Sequence, residues 1–279
     1  MRPFEFNTGE QPRRATVVLL HSSASSSRQW GALAERLAPR FDVRTLDFHG
    51  HGARDPWAGN RPLTLVDDAA LVAPILGEAG PVHLVGHSYG GAVALKVAAM
   101  WPGRIASVAV YEPVLFRWLF AAEPDAVAAR EPWAVAAAMR SALNRGEAQC
   151  AAERFLDYWG GTGTWVSMSQ DRQASQAARM RSVLAHFDAL ARDVPSGARL
   201  RGLRMPMLFL SGAATVASTA RIAALLRSAL PAARHLTLPG AGHLGPITHP
   251  DVVNDAIEHF LARADAGTAA VQAMFGKAA

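Results

Sequence analysis

Short apolar runs alternate with longer amphipathic stretches through most of the chain. The apolar runs are partly β-branched, as is typical of strands buried on both faces of a parallel sheet. The runs predicted as strands are 15–21, 43–47, 82–86, 106–111, 207–211 and 234–238. The amphipathic stretches predicted as helices are 29–37, 65–76, 90–100, 218–230 and 252–263. This alternation predicts an α/β fold, a mostly parallel sheet flanked by helices on both faces.

The alternation of strands and helices stops between residues 113 and 195. This segment has no strand candidate, and its Ala-, Arg-, Trp- and Phe-rich stretches predict several helices, interrupted by the loop Gly160-Gly161-Thr162-Gly163. At roughly 80 residues it is too long for a simple connection. It is therefore predicted to be a helical cap, 114–195, inserted into a core formed by 1–113 and 196–264. The Ala- and Gly-rich tail, 265–279, is expected to be a frayed helix or disordered.

The composition is that of an ordinary globular protein, with 50% hydrophobic and 18% charged residues among 279. The net charge of +5 comes from scattered arginines without a basic run, so no nucleic-acid partner is expected. Cys150 is the only cysteine, which excludes an intrachain disulfide and a multi-cysteine metal site. The first 14 residues contain no apolar leader, and the run 15–20 is too short to span a bilayer. We therefore expect a cytoplasmic protein with no membrane association.

A serine flanked by glycines, in Gly86-His87-Ser88-Tyr89-Gly90, lies directly between a predicted strand and a predicted helix. In a nucleophile elbow, a strained turn at this place exposes the serine hydroxyl above the sheet, at a helix N-terminus. The glycines do not fit a phosphate-binding loop, because neither G-x-G-x-x-G nor a Walker lysine is present. Ser88 is therefore the predicted nucleophile; the alternative is an incidental serine in a glycine-rich turn.

Serine needs a neighbouring base to act as a nucleophile at neutral pH. His243 follows the last predicted sheet strand, in a loop of small residues that would let it fold over the carboxyl edge of the sheet. His249 directly precedes Pro250 and is expected at the start of the last helix, whereas His235 is expected inside a strand. His243 is therefore the predicted base.

With these features, the chain resembles the α/β-hydrolase family over nearly its whole length, cap included. The resemblance implies a serine hydrolase that needs no metal or organic cofactor. Leu19-Leu20-His21-Ser22-Ser23 occupies the place of the family's strand and His-Gly turn. The resemblance implies an oxyanion hole formed by the backbone N–H groups of Ser23 and Tyr89, with Ser22 as the alternative to Ser23. Ser22 stands where glycine is usual, and a positive φ there would strain a serine.

A second part of the resemblance is the segment Asp47-Phe48-His49-Gly50-His51-Gly52, which is similar to the family's D-x-x-G-H-G loop. Taken alone, His49 and His51 would also suggest a metal site. Because no further ligand cluster accompanies them in the sequence, a structural loop is the favoured interpretation.

The family's usual acid position, in the loop after strand 207–211, holds Thr215 instead. No Asp or Glu occurs between positions 193 and 251. Either the histidine lacks an acid partner or the acid has moved to another strand. If the acid has moved, substitution of Thr215 by alanine is expected to change little.

Glu112 is the predicted acid, because it ends the strand 106–111. In this fold that strand lies between the nucleophile strand and the strand that usually carries the acid. Some haloalkane dehalogenases, which resemble this chain in fold, place their acid in this way. They use an aspartate nucleophile, however, so Ser88 argues against dehalogenation. The alternative for Glu112 is an ion pair with an arginine near the cap.

The predicted cap is rich in aromatic residues, and Tyr158, Trp159 and Trp118 are the predicted substrate-binding residues. Since ligand pockets are mostly apolar, we expect a small or medium apolar carboxylic ester, cleaved through an acyl-enzyme. Acidic and basic residues of the cap are balanced, so no selection for an anionic substrate is expected. The expected partner is a small-molecule substrate, and a homodimer is left open.

Other functions of the same fold stay open from the sequence. A C–C bond hydrolase, an acyltransferase or a perhydrolase could use the same triad. A non-enzymatic ligand-binding receptor is the alternative of another class.

Overall fold

One sheet of parallel strands forms the centre of the protein. The computed structural model describes residues 14–192 and 194–275. The strands are β1 (Thr16–Leu20), β2 (Asp42–Leu46), β3 (Val82–His87), β4 (Ile105–Tyr111), β5 (Met207–Gly212) and β6 (Arg234–Leu238). Their order is β2-β1-β3-β4-β5-β6, and all neighbours are parallel. The predicted mostly parallel sheet is confirmed, and each predicted strand end lies within one residue of the observed one.

Helices cover the sheet and fill the segment between β4 and β5. They are α1 (Gly31–Leu37), α2 (Leu65–Ala70), α3 (Ala73–Glu78), α4 (Tyr89–Met100), α5 (Phe116–Ala122), α6 (Val127–Asn144), α7 (Ala148–Gly160), α8 (Gln170–Arg192), α9 (Gly197–Arg201), α10 (Ala217–Ala229), α11 (Gly245–Thr248) and α12 (Pro250–Phe275). The single helix predicted over 65–76 is wrong. Pro74 breaks it into α2 and α3, because proline has no N–H to donate and its ring clashes with the preceding turn.

The sheet separates two hydrophobic cores. Successive side chains of a strand point to opposite faces. Along β1, Val17 and Leu19 accordingly join the core that contains α1 and part of α12, whereas Val18 and Leu20 join the core beneath α4. The central strands β1, β3, β4 and β5 are buried along their length, and the edge strands β2 and β6 are partly exposed. The carboxyl ends of the central strands are the natural place for a site in such a sheet.

Four helices, α5 to α8, occupy the interval predicted as a cap. The tail predicted to be frayed or disordered continues as α12 up to Phe275. Expectations about residues 1–13 and 276–279 lie outside the described residues. Among the residues that the structure describes, no helix is both long and apolar enough to span a membrane.

Candidate active site

Ser88 forms a sharp turn between β3 and α4. Its backbone has φ 54° and ψ −115°, a left-handed conformation that costs a serine on the order of 1–3 kcal/mol. The glycines on either side make the turn possible: a Cβ on Gly86 would overlap the carbonyl oxygen of Gly90, and a Cβ on Gly90 would overlap the end of β1. The Ser88 N–H donates to the carbonyl of Tyr111 at 2.9 Å. These constraints hold the strained residue with its hydroxyl at the N-terminus of α4.

Ser88, His243 and Glu112 form a continuous hydrogen-bonded line. His243 Nε2 lies 3.0 Å from Ser88 Oγ, and His243 Nδ1 lies 2.7 Å from Glu112 Oε2. All three residues are buried, with exposed fractions of 5%, 3% and 2%. Since a carboxylate only accepts, Nδ1 carries the proton towards Glu112, and Nε2 is free to accept the proton of Ser88.

Glu112 reaches His243 from the end of β4, in the sheet position that its strand was predicted to have. The Glu112 N–H donates to the Leu210 carbonyl of β5 at 2.9 Å, and its backbone has φ 42°. Its Oε1 accepts the N–H of Gly212 at 2.7 Å, and its Oε2 accepts the hydroxyl of Thr215 at 2.7 Å. Burial raises the pKa of the Glu112 carboxyl, but the hydrogen bonds from His243, Thr215 and Gly212 outweigh it and bring the pKa below its ordinary value. The buried carboxylate is therefore ionised.

Thr215 thus has a contact that the sequence did not indicate. It lies at the family's usual acid position, and its hydroxyl donates to the acid that reaches the histidine from β4. The expectation that Thr215 is dispensable does not fit this contact, because removing the hydroxyl would take a donor from a buried carboxylate.

Three contacts hold the loop that carries His243. The Tyr111 hydroxyl donates to the carbonyl of Gly242 at 2.7 Å, and His87 Nε2 donates to the carbonyl of His243 at 2.9 Å. The indole of Trp159, from cap helix α7, stacks on the His243 ring with centroids 3.9 Å apart. Burial holds the pKa of His87 well below its ordinary value, so this histidine is neutral. It donates through Nε2 and accepts through Nδ1.

The two rival histidines lie elsewhere. His235 contacts the carbonyl of Leu230 through Nε2 at 3.0 Å, and its ring stacks on Phe209. His249 contacts the hydroxyl of Thr248 at 2.8 Å. Neither ring is bonded to Ser88; among the histidines of the described residues, only His243 is hydrogen-bonded to the Ser88 hydroxyl.

The loop after β1 contains the candidate oxyanion donors. The Ser22 N–H donates to Gln29 Oε1 at 3.0 Å, which leaves Ser23 as the candidate in this loop. Tyr89 is the first residue of α4, and a first-turn N–H has no acceptor within its helix. The strain expected at Ser22 is wrong: the positive φ, 60°, falls on Ala24.

His49 and His51 make the contacts of a structural loop. His49 Nδ1 lies 2.7 Å from Asp68 Oδ1. His51 Nδ1 donates to the carbonyl of His49 at 3.1 Å, and its Nε2 accepts the N–H of Ala24 at 3.1 Å. The described residues contain no group of three or more His, Cys, Asp or Glu that could hold a metal ion.

A cavity of about 470 Å³ opens onto Ser88 and His243. Its apolar lining includes Phe155, Leu156, Trp159 and Met168 of the cap segment. Of the predicted substrate-binding residues, only Trp159 lines this cavity. The structure places Tyr158 and Trp118 away from it. Successive helix residues point about 100° apart, so Tyr158 turns from Trp159 and bonds Ser218 at 2.7 Å, and Trp118 packs against Gly197.

Two residues that support the site were missed from the sequence. Gln29 Nε2 donates to His87 Nδ1 at 3.1 Å, which connects the loop after β1 to the loop of His243. His186, from α8, lies 2.8 Å from the hydroxyl of Ser23. No local pattern points to either residue, because their partners lie 58 and 163 positions away.

The comparison with known families agrees with this geometry. A family model described as the alpha/beta hydrolase family matches residues 17–256. The chain belongs to the α/β-hydrolase family. Within it, the chain is similar to a pimeloyl-[acyl-carrier protein] methyl ester esterase of Aeromonas hydrophila, with 29% identity over 88% of this chain and 94% of the relative. Lipase LipV of Mycobacterium tuberculosis is 37% identical over 36% of this chain and 38% of the lipase.

Solved structures share the fold of this chain. A hydrolase from Pseudomonas aeruginosa has 26% identity and a TM-score of 0.70, covering 89% of this chain and 90% of that one. The enol-lactonase of Burkholderia xenovorans has 20% identity and a TM-score of 0.70, covering 91% and 93%. With these relatives, the α/β-hydrolase described here is an esterase-like hydrolase.

Proposed function

We propose that this α/β-hydrolase cleaves carboxylic esters through an acyl-enzyme formed on Ser88. The observation that carries the proposal is the buried line of hydrogen bonds from Ser88 through His243 to Glu112. As Ser88 Oγ attacks the carbonyl carbon, His243 Nε2 accepts its proton. The Glu112 carboxylate keeps the required tautomer and offsets the charge of the imidazolium that forms.

The remaining steps use the same groups. The N–H groups of Tyr89 and Ser23 stabilise the tetrahedral oxyanion. The bond to the alcohol oxygen then breaks, and His243 returns the proton to the leaving alcohol. Water attacks the acyl-enzyme with His243 as base, the acyl bond to Ser88 breaks, and the serine hydroxyl is restored as the acid leaves.

The cavity supports an ester with a hydrocarbon portion of small or medium size. Phe155, Leu156 and Trp159 form an apolar wall beside the triad. Two relatives are named a methyl ester esterase and a lipase, and both names denote ester hydrolysis. Ester cleavage is therefore favoured over C–C bond cleavage, acyl transfer and perhydrolysis on the same triad.

Turnover of p-nitrophenyl acetate and butyrate tests the proposal. Wild type is expected to release nitrophenol and to be labelled by a fluorophosphonate probe, and Ser88→Ala is expected to do neither. Equal rates in both proteins would overturn the role of Ser88. A wild type that neither labels nor turns over esters would favour the ligand-binding receptor.

A further inference from the structure

One face of α8 presents basic side chains to the cavity of Ser88. Arg172, Gln176 and Arg179 stand at i, i+4 and i+7, which places them on one side of the helix. All three line the cavity, and Arg28, in the turn before α1, lines it as well. Among the described residues that line this cavity there is no Asp or Glu. Three arginines, whose guanidinium groups stay ionised at all relevant pH values, therefore line a cavity without a carboxylate in its wall; Arg28 and Arg172 are exposed at its mouth, and Arg179 is half-buried.

Arg179 is held next to the reaction centre. Its Nη1 donates to the carbonyl of Ala24 at 3.1 Å, one residue beyond the candidate oxyanion donor Ser23. Within the described part of the chain, the ion pairs of arginine involve neither Arg179 nor Arg172 nor Arg28. Their remaining N–H groups are available to a ligand.

Gln176 lies between the two arginines of this helix face. Its Oε1 is buried and has no hydrogen-bond partner among the described residues. A buried amide oxygen without a partner is costly, and a bound ligand that supplies a donor would relieve the cost. Since an ionised carboxylate or phosphate only accepts, this oxygen indicates a donor elsewhere on the ligand, and the charge of the ligand is argued from the arginines alone.

We infer that the cavity takes esters that carry an anionic oxygen group, a carboxylate or a phosphate, away from the bond that is cleaved. The inference rests on the proposed function and specifies its substrate class. Guanidinium groups match the geometry of carboxylate and phosphate oxygens, and the apolar wall accommodates the hydrocarbon between that group and Ser88. The balanced charge of the cap does not argue against this, because composition counts every surface of the cap. Among the charged residues of the cap, those that line the cavity are basic, Arg172 and Arg179.

Two matched pairs of esters test the inference and identify the source of the charge. p-Nitrophenyl hydrogen glutarate is compared with p-nitrophenyl valerate, and the butyrate ester of 2-hydroxyethyl phosphate with ethyl butyrate. The charged member of at least one pair is expected to have a kcat/KM about 10-fold higher, the scale of one charge-assisted hydrogen bond. The advantage is expected to shrink in 0.5 M NaCl, because salt screens partly exposed charges. The pair that shows it distinguishes carboxylate from phosphate.

Variants of α8 test the assignment to these arginines. We compare kcat/KM for the charged ester with kcat/KM for its neutral partner. Arg179→Gln and Arg172→Gln are each expected to lower this ratio by about 5- to 10-fold, mainly by raising the KM of the charged ester. Arg181→Gln, an exposed arginine of the same helix outside the cavity lining, is the control and should keep the wild-type ratio.

The outcomes separate this inference from the proposed function. If neutral esters are cleaved in a Ser88-dependent way and neither charged ester exceeds its partner, the inference is wrong and the proposed function stands. An unchanged ratio in both arginine variants would also overturn it. If no ester of either kind is cleaved, the proposed function fails and the inference fails with it.

Discussion

Ser23 Oγ and His186 Nδ1 lie 2.8 Å apart, in a hydrogen bond between the loop after β1 and cap helix α8. The His186 ring also stacks on the ring of Tyr89, with centroids 3.6 Å apart and planes within 2° of parallel. One buried cap side chain therefore contacts both residues whose N–H groups are proposed to bind the oxyanion. Burial holds the pKa of His186 well below its ordinary value, so the ring is neutral.

Replacing His186 by phenylalanine is expected to lower kcat without lowering the thermal stability of the protein. The variant keeps a ring against Tyr89 but loses the hydrogen bond to Ser23. We expect kcat for p-nitrophenyl butyrate to fall by about 10-fold with little change in KM, because the oxyanion contact acts in the transition state. Since His186 Nε2 is buried without a hydrogen-bond partner among the described residues, thermal stability is expected to stay equal or rise. Parallel losses of kcat and Tm would indicate a purely structural role.

Changing Glu112 to glutamine is expected to lower kcat by roughly 10⁴-fold, the scale known for a triad carboxylate changed to its amide. The amide cannot accept from His243, Thr215 and Gly212 together, because one side of it becomes a donor. Glu147→Gln, at an exposed ion pair with Arg145, is the control and should keep wild-type kcat. Full activity of Glu112→Gln under the same assay would refute the assignment of the acid.

Thr215→Val is expected to lower kcat by about 5- to 10-fold. The substitution removes a 2.7 Å hydrogen bond to Glu112 Oε2 and leaves the side-chain volume nearly unchanged. Thr248→Val, at an exposed threonine, provides the comparison. Steady-state rates that match in the two variants would show that the Thr215 contact has no part in catalysis.

Stability is expected to fall in acid because five buried histidines are neutral in the folded protein. Burial lowers the pKa of His21 to about 3, and lowers the pKa values of His51, His83, His87 and His186 as well. In the unfolded chain each has a pKa near 6.5, so below that pH the unfolded state binds more protons. The stabilisation is complete above pH 6.5 and is lost as the pH falls towards 3, by at most about 1.4 kcal/mol per pH unit for each histidine.

Urea unfolding at pH 8, 6, 5 and 4 measures this loss. The free energy of unfolding should decrease progressively below pH 6.5 in wild type. His259→Gln, at an exposed histidine of α12, should show the same slope. A free energy that is constant or rises from pH 8 to pH 5 would contradict the burial of five neutral rings.

The sequence predicts the sheet, Ser88 and His243 because each of them depends on local pattern. A buried strand needs an apolar run, and an elbow needs glycines beside the serine. The acid could be found because the order of strands follows from the fold class once the usual position is seen to hold Thr215. The break at Pro74 was within reach of the same reasoning, since proline disrupts the interior of a helix.

The contacts between distant segments could not be predicted. Nothing near His186 indicates that its ring meets Ser23, and nothing near Gln29 indicates a bond to His87. The aromatic rings of Tyr158 and Trp118 suit a pocket wall, but which side of a helix faces the cavity depends on how the cap helices pack on one another. The local sequence pattern identifies candidate functional side chains, and tertiary packing decides which of these side chains come into contact.

The stacking of Trp159 on His243 ties the position of α7 to the triad. Together with the bond between His186 and Ser23, it means that α7 touches the base and α8 touches the oxyanion loop. The base and the oxyanion loop therefore depend on one helical scaffold, so a substitution that shifts the packing of α7 on α8 is expected to disturb both halves of the site together.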